Sequence, residues 1–294
     1  MSIRLHEEDP ALLRDVIRFT SVEAGFIPRL VEKDYFCSVL LEFLTANHDE
    51  LTFKGGTCLS KIHAAFYRLS EDLDFCISTA LSTSRSDRRS SAGPLKAIVN
   101  AIPEALPVFE IIEPLRGFNN STQYNAVFGY RSLLDSNLEL ISVEVGLREP
   151  HIEEPQRGMA TTALLNPMNR LALVDGFPVR CLSYPEAMSE KLRAALSRRE
   201  VAIRDFFDID HAVQSRRCDP EDSTLIDLLR RKLAIPGTGP VDVSPERMGP
   251  LPQQLETQLR PVLRKRELAA FDLDRAIATI RGIAQRVGMA SRSS

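Results

Sequence analysis

The chain has 294 residues, enough for one large domain or two of ordinary size, each with a substantial core. Hydrophobic residues make up 44% and charged residues 26%, a globular composition that argues against extended disorder. The net charge of −3 combines −6 over residues 1–184 with +3 over residues 185–294. That weak positive balance does not by itself indicate a protein that binds an anionic polymer.

Cysteine and histidine spacing gives no metal or disulfide motif. The five cysteines lie far apart without a C-x-x-C pair, and we interpret them as reduced residues, most of them in the core. The five histidines show neither H-x-x-x-H nor H-E-x-x-H spacing, so we expect no histidine-ligated metal. The first ten residues lack the apolar core of a signal peptide, and no apolar run reaches 18 residues. We therefore expect a cytoplasmic protein without membrane contact.

Two helices are predicted before the first strand, over residues 10–23 and 29–46, the second beginning after Pro28. Three consecutive charged residues, Glu32, Lys33 and Asp34, interrupt the broad apolar face of the second helix. They form either a solvated patch or a support for a nearby functional site.

The stretch from residue 53 to residue 77 has the strongest functional pattern. It predicts a strand, a glycine turn at Gly55 and Gly56, a helix, and a second strand that carries Asp72 and Asp74. Paired glycines let the backbone approach a ligand closely. Residues two apart on a strand point to the same face, so the two carboxylates would converge. A phosphate-binding turn beside two carboxylates is typical of metal-assisted phosphoryl chemistry.

Short strands follow over residues 108–115, 123–132 and 138–147, with turn-like segments between them that predict an antiparallel meander. A helix over 95–106 precedes them, and the Ser- and Arg-rich segment 79–93 is either a mobile loop or a frayed helix. In the third strand, Glu144 lies opposite an apolar face. A lone strand acid needs solvent, a partner or a metal. It is either a salt-bridge partner or a third metal ligand.

The pattern changes near residue 184, where we place a domain boundary between residues 1–184 and 185–294. Residues 150–178 are rich in proline and glycine and predict a surface excursion, followed by a short strand over 179–182. The second part is helical, with amphipathic segments over 185–200 and 201–217 and further helices over 221–234, 251–265 and 267–287.

Six ordered features together resemble one family. They are E-K-D-Y at 32–35, K-G-G-T-C-L-S-K at 54–61, R-x-S-E-D-L-D-F at 68–75, the strand acid Glu144, E-K-L-x-A-A-L at 190–196 and R-D-F-F-D at 204–208. This order is similar to that of the AbiEii/AbiGii toxin-type nucleotidyltransferases, a branch of the polymerase-beta-like superfamily. The resemblance implies an α+β fold, with a mixed sheet and flanking helices followed by a helical C-terminal domain.

The resemblance also implies an activity and its partners. The activity would be Mg²⁺-dependent transfer of a nucleoside monophosphate from an NTP to RNA, notably the tRNA 3′ end, with a cognate antitoxin holding the toxin in check. Asp72, Asp74 and Glu144 would bind metal in a scheme with up to two ions, and Lys191 and Asp208 match positions important for activity. We expect nucleotide contacts from a larger set of residues: Lys54, Gly55, Gly56, Thr57, Lys61, Arg68, Ser70, Arg204 and Asp205.

Two other functions stay open at this point. The same metal site would serve an enzyme that modifies a protein instead of RNA. A non-catalytic module of this fold, or an antitoxin, is the other possibility, although such a module has no reason to retain convergent acids. Individual positions also have a structural interpretation. Lys54 and Lys61 would be surface lysines, the glycines an ordinary turn, and Arg68 and Ser70 residues that hold the loop. Lys191 with Arg204, Asp205 and Asp208 would be an interhelical salt-bridge set.

Overall fold

The computed structural model describes residues 3–289. The chain divides into two compact units, Met1–Leu182 and Ser183–Ser294. In the described residues, all strands belong to the first unit, and the second unit is helical. That these units are a nucleotidyltransferase-like domain over 1–184 and a separate helical domain over 185–294 stays a prediction.

The first unit combines six helices with seven strands. The helices are α1 (Leu5–Glu8), α2 (Pro10–Ala24), α3 (Pro28–Asn47), α4 (Gly55–Cys58), α5 (Arg85–Ser91) and α6 (Gly93–Ala105). The strands are β1 (Thr52–Lys54), β2 (Leu73–Cys76), β3 (Phe109–Phe118), β4 (Gln123–Arg131), β5 (Leu138–Gly146), β6 (Gln156–Ala160) and β7 (Phe177–Cys181). A π-helical turn, Leu59–His63, continues α4, and a 3₁₀ turn, Asn119–Ser121, joins β3 to β4.

The strands form one mixed sheet in the order β3-β4-β5-β2-β1-β7-β6. The predicted antiparallel meander is confirmed, because β3, β4 and β5 pair consecutively in antiparallel fashion. At its centre, β2 pairs parallel with β5 and antiparallel with β1, and β1 pairs parallel with β7. The predicted mixed sheet with flanking helices is therefore present, and its two shortest strands on the sequence, β1 and β2, occupy central positions.

Two segments of the first unit hold more regular structure than their sequences suggest. Strand β6 lies in the predicted surface excursion, at an edge of the sheet, and only its last residue, Ala160, is buried. Helix α5 lies in the Ser- and Arg-rich segment, and none of its residues is buried. Both elements lack the apolar periodicity that sequence patterns detect, because neither buries a full face.

The charged cluster at the start of α3 is buried, so its interpretation as a solvated patch is wrong. Glu32, Lys33 and Asp34 are 0%, 7% and 2% exposed. Glu32 accepts hydrogen bonds from the Ser132 hydroxyl and the Leu133 backbone N–H, both at 2.7 Å. Its burial raises the pKa of Glu32 above the usual range. These contacts tie α3 to the turn between β4 and β5.

The other two charged residues reach toward the stretch of residues 53–77. Lys33 Nζ lies 3.0 Å from Glu71 Oε2, immediately before β2. Asp34 Oδ1 accepts from Lys61 Nζ at 2.6 Å, and Asp34 Oδ2 accepts from the Ala163 N–H at 2.8 Å. Ion pairs therefore fasten helix α3 to the middle and to the C-terminal end of the segment between β1 and β2.

The second unit consists of helices around an apolar core. They are α7 (Tyr184–Ser197), α8 (Ile203–Gln214), α9 (Ser223–Leu233), α10 (Pro245–Met248), α11 (Leu251–Gln254), α12 (Lys265–Ala270) and α13 (Leu273–Met289). The amphipathic pattern predicts a buried apolar face for α7, and its residues Ala187, Met188, Leu192, Ala195 and Leu196 are all buried. Val213, an apolar residue near the end of α8, is half-buried. The predicted helix over 251–265 is broken into α11, a π-helical turn (Leu255–Leu259) and a 3₁₀ turn (Arg260–Val262).

Asp210 and Arg275 join α8 to α13 within this unit. The Arg275 guanidinium donates hydrogen bonds from Nε to Asp210 Oδ1 at 2.8 Å and from Nη2 to Asp210 Oδ2 at 2.7 Å.

Over residues 3–289, no helix combines the length and apolar character needed to cross a bilayer.

The Asp34–Lys61 pair generates a stability prediction. Lys61→Met should lower the free energy of unfolding by about 3–5 kcal/mol, because it leaves the Asp34 carboxylate buried and uncompensated. The double variant Asp34→Asn/Lys61→Met should recover much of that loss. Urea denaturation of the purified protein measures both values. Lys96→Met is the matched control, since that ammonium lies 5.3 Å over the Tyr124 ring and should contribute about 1 kcal/mol or less. Equal losses in the single and double variants would contradict the pairing.

Candidate functional site

A row of polar residues crosses the centre of the sheet. Lys54 on β1 lies opposite Asp74 on β2, Asp74 lies opposite Glu144 on β5, and Glu144 lies opposite Asn125 on β4. Residues directly opposite on neighbouring strands share a face of the sheet. Four polar side chains from four adjacent strands are thus aligned on one face, which we call the polar row.

The alternation of the strands places this row away from the apolar face. Asp74 and Glu144 are half-buried, and each has two fully or nearly fully buried neighbours along its strand. Those neighbours, which occupy the opposite face, are Leu73, Phe75, Val143 and Val145. A one-residue slip in either strand would bury a carboxylate among apolar side chains, so the register is strongly determined.

Asp74 and Glu144 form an arrangement that suits a hard divalent cation. Two like charges directly opposite on adjacent strands repel one another. A bound cation removes that cost, and carboxylate oxygens are the ligands that Mg²⁺ and similar hard ions prefer. The donor set therefore fits the ion that the sequence predicts. Lys54 lies opposite Asp74 on β1, and its positive charge would also reduce the repulsion between the two carboxylates.

Asp72 differs from its predicted position. Strand β2 begins at Leu73, so Asp72 lies one residue before the strand and not within it. Its backbone carbonyl accepts a hydrogen bond from the Thr57 hydroxyl at 2.5 Å. This bond joins the start of β2 to the glycine turn. Asp72 is half-buried and lies two residues before Asp74 of the polar row, so it stays a candidate ligand.

Both glycines of the turn are required by close approach. Gly55 has φ +75°, a left-handed conformation that side chains disfavour, and a Cβ there would overlap the Asp74 carboxylate. A Cβ on Gly56 would collide with the Arg68 guanidinium. The backbone of the turn consequently lies directly beside the polar row on one side and against a buried arginine on the other.

Thr57 has a structural contact in place of the predicted phosphate contact. A threonine hydroxyl has one hydrogen to donate, and the Thr57 hydroxyl donates it to the Asp72 carbonyl. Phosphate oxygens accept hydrogen bonds, so this hydroxyl does not serve them in the observed geometry. The side chain is also buried, with 1% of the residue exposed. The Thr57 side chain therefore fixes the turn against β2, and the part of Thr57 in nucleotide binding stays a prediction.

Lys61 is buried, so its interpretation as a surface lysine is wrong, and its phosphate contact stays a prediction. The residue is 4% exposed, and its ammonium contacts Asp34 Oδ1 at 2.6 Å, Ser38 Oγ at 2.7 Å and the Thr161 carbonyl at 3.2 Å. These partners account for the three donors of an ammonium group. Lys61 therefore anchors the π-helical turn to α3. Sequence spacing could not separate these two roles, because the partners come from distant segments.

Arg68 and Ser70 lie behind the glycine turn. Arg68 is 2% exposed, and its Nη1 donates to the Leu69 carbonyl at 3.3 Å. A Cβ on Gly56 would lie 3.4 Å from Ser70 Oγ, so this hydroxyl also borders the turn. Of the two roles predicted for these residues, phosphate binding and holding the loop, the burial of Arg68 favours the second. The predicted helix ends before them, since Ala65 and Phe66 have φ of +50° and +54°.

The remaining predicted residues form a charge cluster within the second unit. Lys191 Nζ on α7 lies 2.8 Å from Asp205 Oδ1 and 3.0 Å from Asp208 Oδ2, both on α8. Arg198 Nη1 lies 3.4 Å from Asp205 Oδ2. Arg204 is half-buried on the same helix. Lys191 thus contacts two carboxylates three residues apart on one helix, the arrangement expected for an oriented ammonium.

Asn125 belongs to the polar row and was missed by the sequence analysis. It alternates with the buried residues Tyr124 and Ala126 on β4 and lies opposite Glu144. Its Oδ1 atom is buried, with no hydrogen-bond partner in the described part of the chain. The sequence could have indicated Asn125, because it is a polar residue at an alternating position of a predicted strand. That it lies beside Glu144 became evident only from the strand register.

The sequence also gave no sign that Cys58, His63 and Cys181 meet. One ligand atom from each lies within 4.8 Å of the others. The pKa of Cys181 is lowered to about 5, first because the Cys58 thiol donates a hydrogen bond to its sulfur, and also because of His63. Burial raises the pKa of the Cys58 thiol. The two thiols are free and buried, as the sequence predicts. Their proximity follows from the sheet, which brings β7 beside β1.

Comparisons with known proteins identify one protein family from the sequence and two solved structures of similar fold. A family model described as the nucleotidyl transferase AbiEii toxin of type IV toxin–antitoxin systems matches residues 39–281. The structure is similar to MenT4, a nucleotidyltransferase toxin from Mycobacterium tuberculosis H37Rv, with a TM-score of 0.53 and 18% identity, over 93% of this chain and 98% of that one. It is also similar to JHP933 from Helicobacter pylori, with a TM-score of 0.50 and 13% identity, over 91% and 97% of the two chains. No curated protein sequence matches significantly.

The glycine turn generates a prediction with a matched control. Gly55→Ala should lower the free energy of unfolding by about 1–2 kcal/mol through its left-handed backbone alone, and further through overlap with Asp74. Gly93→Ala should leave stability unchanged or slightly raised, because a Cβ at Gly93 meets nothing within 4 Å. Urea denaturation of the two variants and the wild type measures the difference. Equal midpoints for Gly55→Ala and Gly93→Ala would show that the turn does not need its glycine.

Proposed function

Because the chain belongs to the AbiEii family of nucleotidyl transferase toxins of type IV toxin–antitoxin systems, we propose that it transfers a nucleoside monophosphate from an NTP to RNA. The 3′ end of tRNA is the proposed acceptor, and pyrophosphate leaves. The observation that carries the proposal is the polar row, in which Asp74 and Glu144 lie directly opposite one another beside the backbone of Gly55.

Asp74, Glu144 and Asp72 would hold the divalent metal that nucleotidyltransferases generally use. The proposed ion is Mg²⁺, in a scheme with one or two ions, since these ligands offer only hard oxygen atoms. When bound, Mg²⁺ supplies charge neutralisation for the triphosphate and acidifies the attacking hydroxyl. Glu144 would act on the acceptor side, either as a ligand or by accepting the proton of the attacking hydroxyl.

The glycine turn would position the triphosphate. Gly55 has no side chain between its backbone and the polar row, and Gly56 has none toward Arg68. The N–H groups of both glycines would bind phosphate oxygens. Lys54 occupies the end of the row beside this turn and would add a positive charge. Thr57, Lys61, Arg68 and Ser70 would act indirectly, by keeping the turn and the start of β2 in place.

The charge cluster of the second unit is the other part of the chain to which we assign a role in nucleotide binding. We propose that Lys191 binds phosphate oxygens and that Asp208, whose carboxylate lies 3.0 Å from its ammonium, orients it. Asp205 would share the orienting role, and Arg204 would contact the nucleotide. Positive groups that meet the charge developing on phosphate typically contribute about 3–4 kcal/mol to transition-state stabilisation.

Membership of a type IV toxin–antitoxin family implies an antitoxin partner and a nucleotide substrate. We place the enzyme in the cytoplasm, where NTPs and tRNA are available.

Protein as the acceptor is the second candidate, because the polar row would serve an RNA hydroxyl and a protein hydroxyl equally. A non-catalytic role is disfavoured by the retention of opposed carboxylates, which are costly without a cation.

The function test uses purified protein, Mg²⁺ and each of the four radiolabelled NTPs, with a tRNA pool in one set and lysate protein in the other. Label should enter tRNA from one preferred NTP, and Glu144→Gln should reduce the rate by about 10²–10³, because an amide replaces a charged ligand or base. Glu110→Gln is the matched control, an exposed strand acid of β3 outside the polar row. Label in protein alone would replace RNA by protein as the acceptor, and full activity of Glu144→Gln would contradict the site.

Lys191 offers an independent prediction for the second unit. Lys191→Met should lower the transfer rate by roughly 10²–10³ and abolish growth arrest on expression, because the phosphate-binding charge is lost. Lys265→Met, an exposed lysine of α12, is the control and should keep full toxicity. Growth arrest is compared at matched expression levels, with circular dichroism to verify folding. A folded Lys191→Met protein that still arrests growth would exclude Lys191 from the mechanism.

A further inference from the structure

A second cluster of ligand-type side chains lies on the far end of the glycine turn. Cys58 is the last residue of α4, His63 the last residue of the π-helical turn, and Cys181 the last residue of β7. Their ligand atoms all lie within 4.8 Å of one another. Among the residues that the structure describes, no other group of three His, Cys, Asp or Glu residues was found this close together.

From this geometry we infer that Cys58, His63 and Cys181 bind a Zn²⁺ ion, at a site separate from the carboxylates of the polar row. Two cysteine sulfurs and one imidazole nitrogen are a ligand set that zinc uses in proteins. Around a tetrahedral zinc ion such ligand atoms lie about 3.5–3.8 Å apart. The observed spacing within 4.8 Å reaches that value through small side-chain rotations.

The surroundings of the three residues also suit a bound ion. His63 Nε2 lies 3.2 Å from the Leu182 carbonyl, and an N–H donated to this oxygen leaves Nδ1 as the unprotonated nitrogen. Metal-bound histidines characteristically donate their other ring N–H to such an outer partner. Cys58 and Cys181 are 0% exposed, so the sulfurs are shielded from solvent.

One position remains for a fourth ligand. Gln156 on β6 lies opposite Cys181, its side chain is in hydrogen-bonding contact with that sulfur, and the residue is exposed. The amide oxygen of Gln156 or a water molecule would complete a tetrahedral set. Space beside Cys181 is also tight, since a Cβ on Gly158 would lie 3.1 Å from its sulfur. Two residues of β6, Gln156 and Gly158, thus border the site beside Cys181.

A zinc ion at this position would fasten the glycine turn to the sheet. Cys58 follows directly after Thr57, whose hydroxyl fixes the start of β2. Cys181 lies beside Phe53, the residue before Lys54. The ion would cross-link the end of α4 and the end of the π-helical turn to β7 without touching the polar row. Soft sulfur ligands select zinc over magnesium, so the two sites would not compete for one ion.

The test is a Co²⁺ titration of the purified full-length protein, kept reduced and freed of metal by dialysis. Cobalt bound by cysteine gives thiolate charge-transfer absorption. This absorption should saturate at about one ion per chain, be displaced by Zn²⁺ and persist in excess Mg²⁺. Cys181→Ser and His63→Gln should each weaken binding by roughly tenfold or more, since each removes one ligand.

Two controls distinguish this site from other sites. Cys218→Ser removes a buried thiol of the second unit, and Glu144→Gln removes a carboxylate of the polar row; both should leave the cobalt absorption unchanged. Absence of thiolate absorption in the folded wild type would overturn the proposal. So would unchanged binding in Cys181→Ser and His63→Gln, or a Cys58–Cys181 disulfide found by peptide mass spectrometry in protein purified without reductant. None of these results depends on the transfer reaction.

Discussion

The opposition of Asp74 and Glu144 is the constraint on which the rest of the site depends. Parallel pairing of β2 with β5 fixes these two carboxylates on one face, at the centre of the sheet. Like charges directly opposite destabilise a sheet, and a cation bound between the two carboxylates would offset that cost. The missing side chain at Gly55 and the charge of Lys54 border the same pair. The proposed metal-dependent transfer of a nucleoside monophosphate would account for all four features.

Much of the charge around the site is structural and not catalytic. Asp34 and Lys61 are buried together, and Lys33 contacts Glu71 just before β2. Buried charge pairs contribute little net stability, but removing one partner is costly, so they strongly restrict alternative arrangements. Helix α3 thereby holds the segment between β1 and β2 at Lys61 and at Glu71, and the Thr57 hydroxyl bonds the start of this segment to the Asp72 carbonyl at its end. We interpret the charged residues of α3 as the support that keeps the glycine turn in position.

The sequence predicted features that depend on local patterns. The antiparallel meander, the glycine turn and the placement of Glu144 on the polar face followed from alternation and spacing, and the family followed from ordered motifs. The structure was needed wherever partners come from distant segments. Lys61 looks like a phosphate ligand until Asp34 is seen beside it. The strand register shows that Asn125 lies opposite Glu144. Cys58 lies near Cys181 because β1 and β7 are neighbours in the sheet.

The central claim is that a divalent ion binds between the carboxylates of the polar row. Crystals grown with Mn²⁺ and a non-hydrolysable NTP analogue test this most directly, because manganese gives an anomalous signal. The map should show a manganese peak in contact with both Asp74 and Glu144, with triphosphate oxygens completing its coordination beside Gly55. A nucleotide bound with its metal elsewhere, and with no peak between these two carboxylates, would contradict the claim.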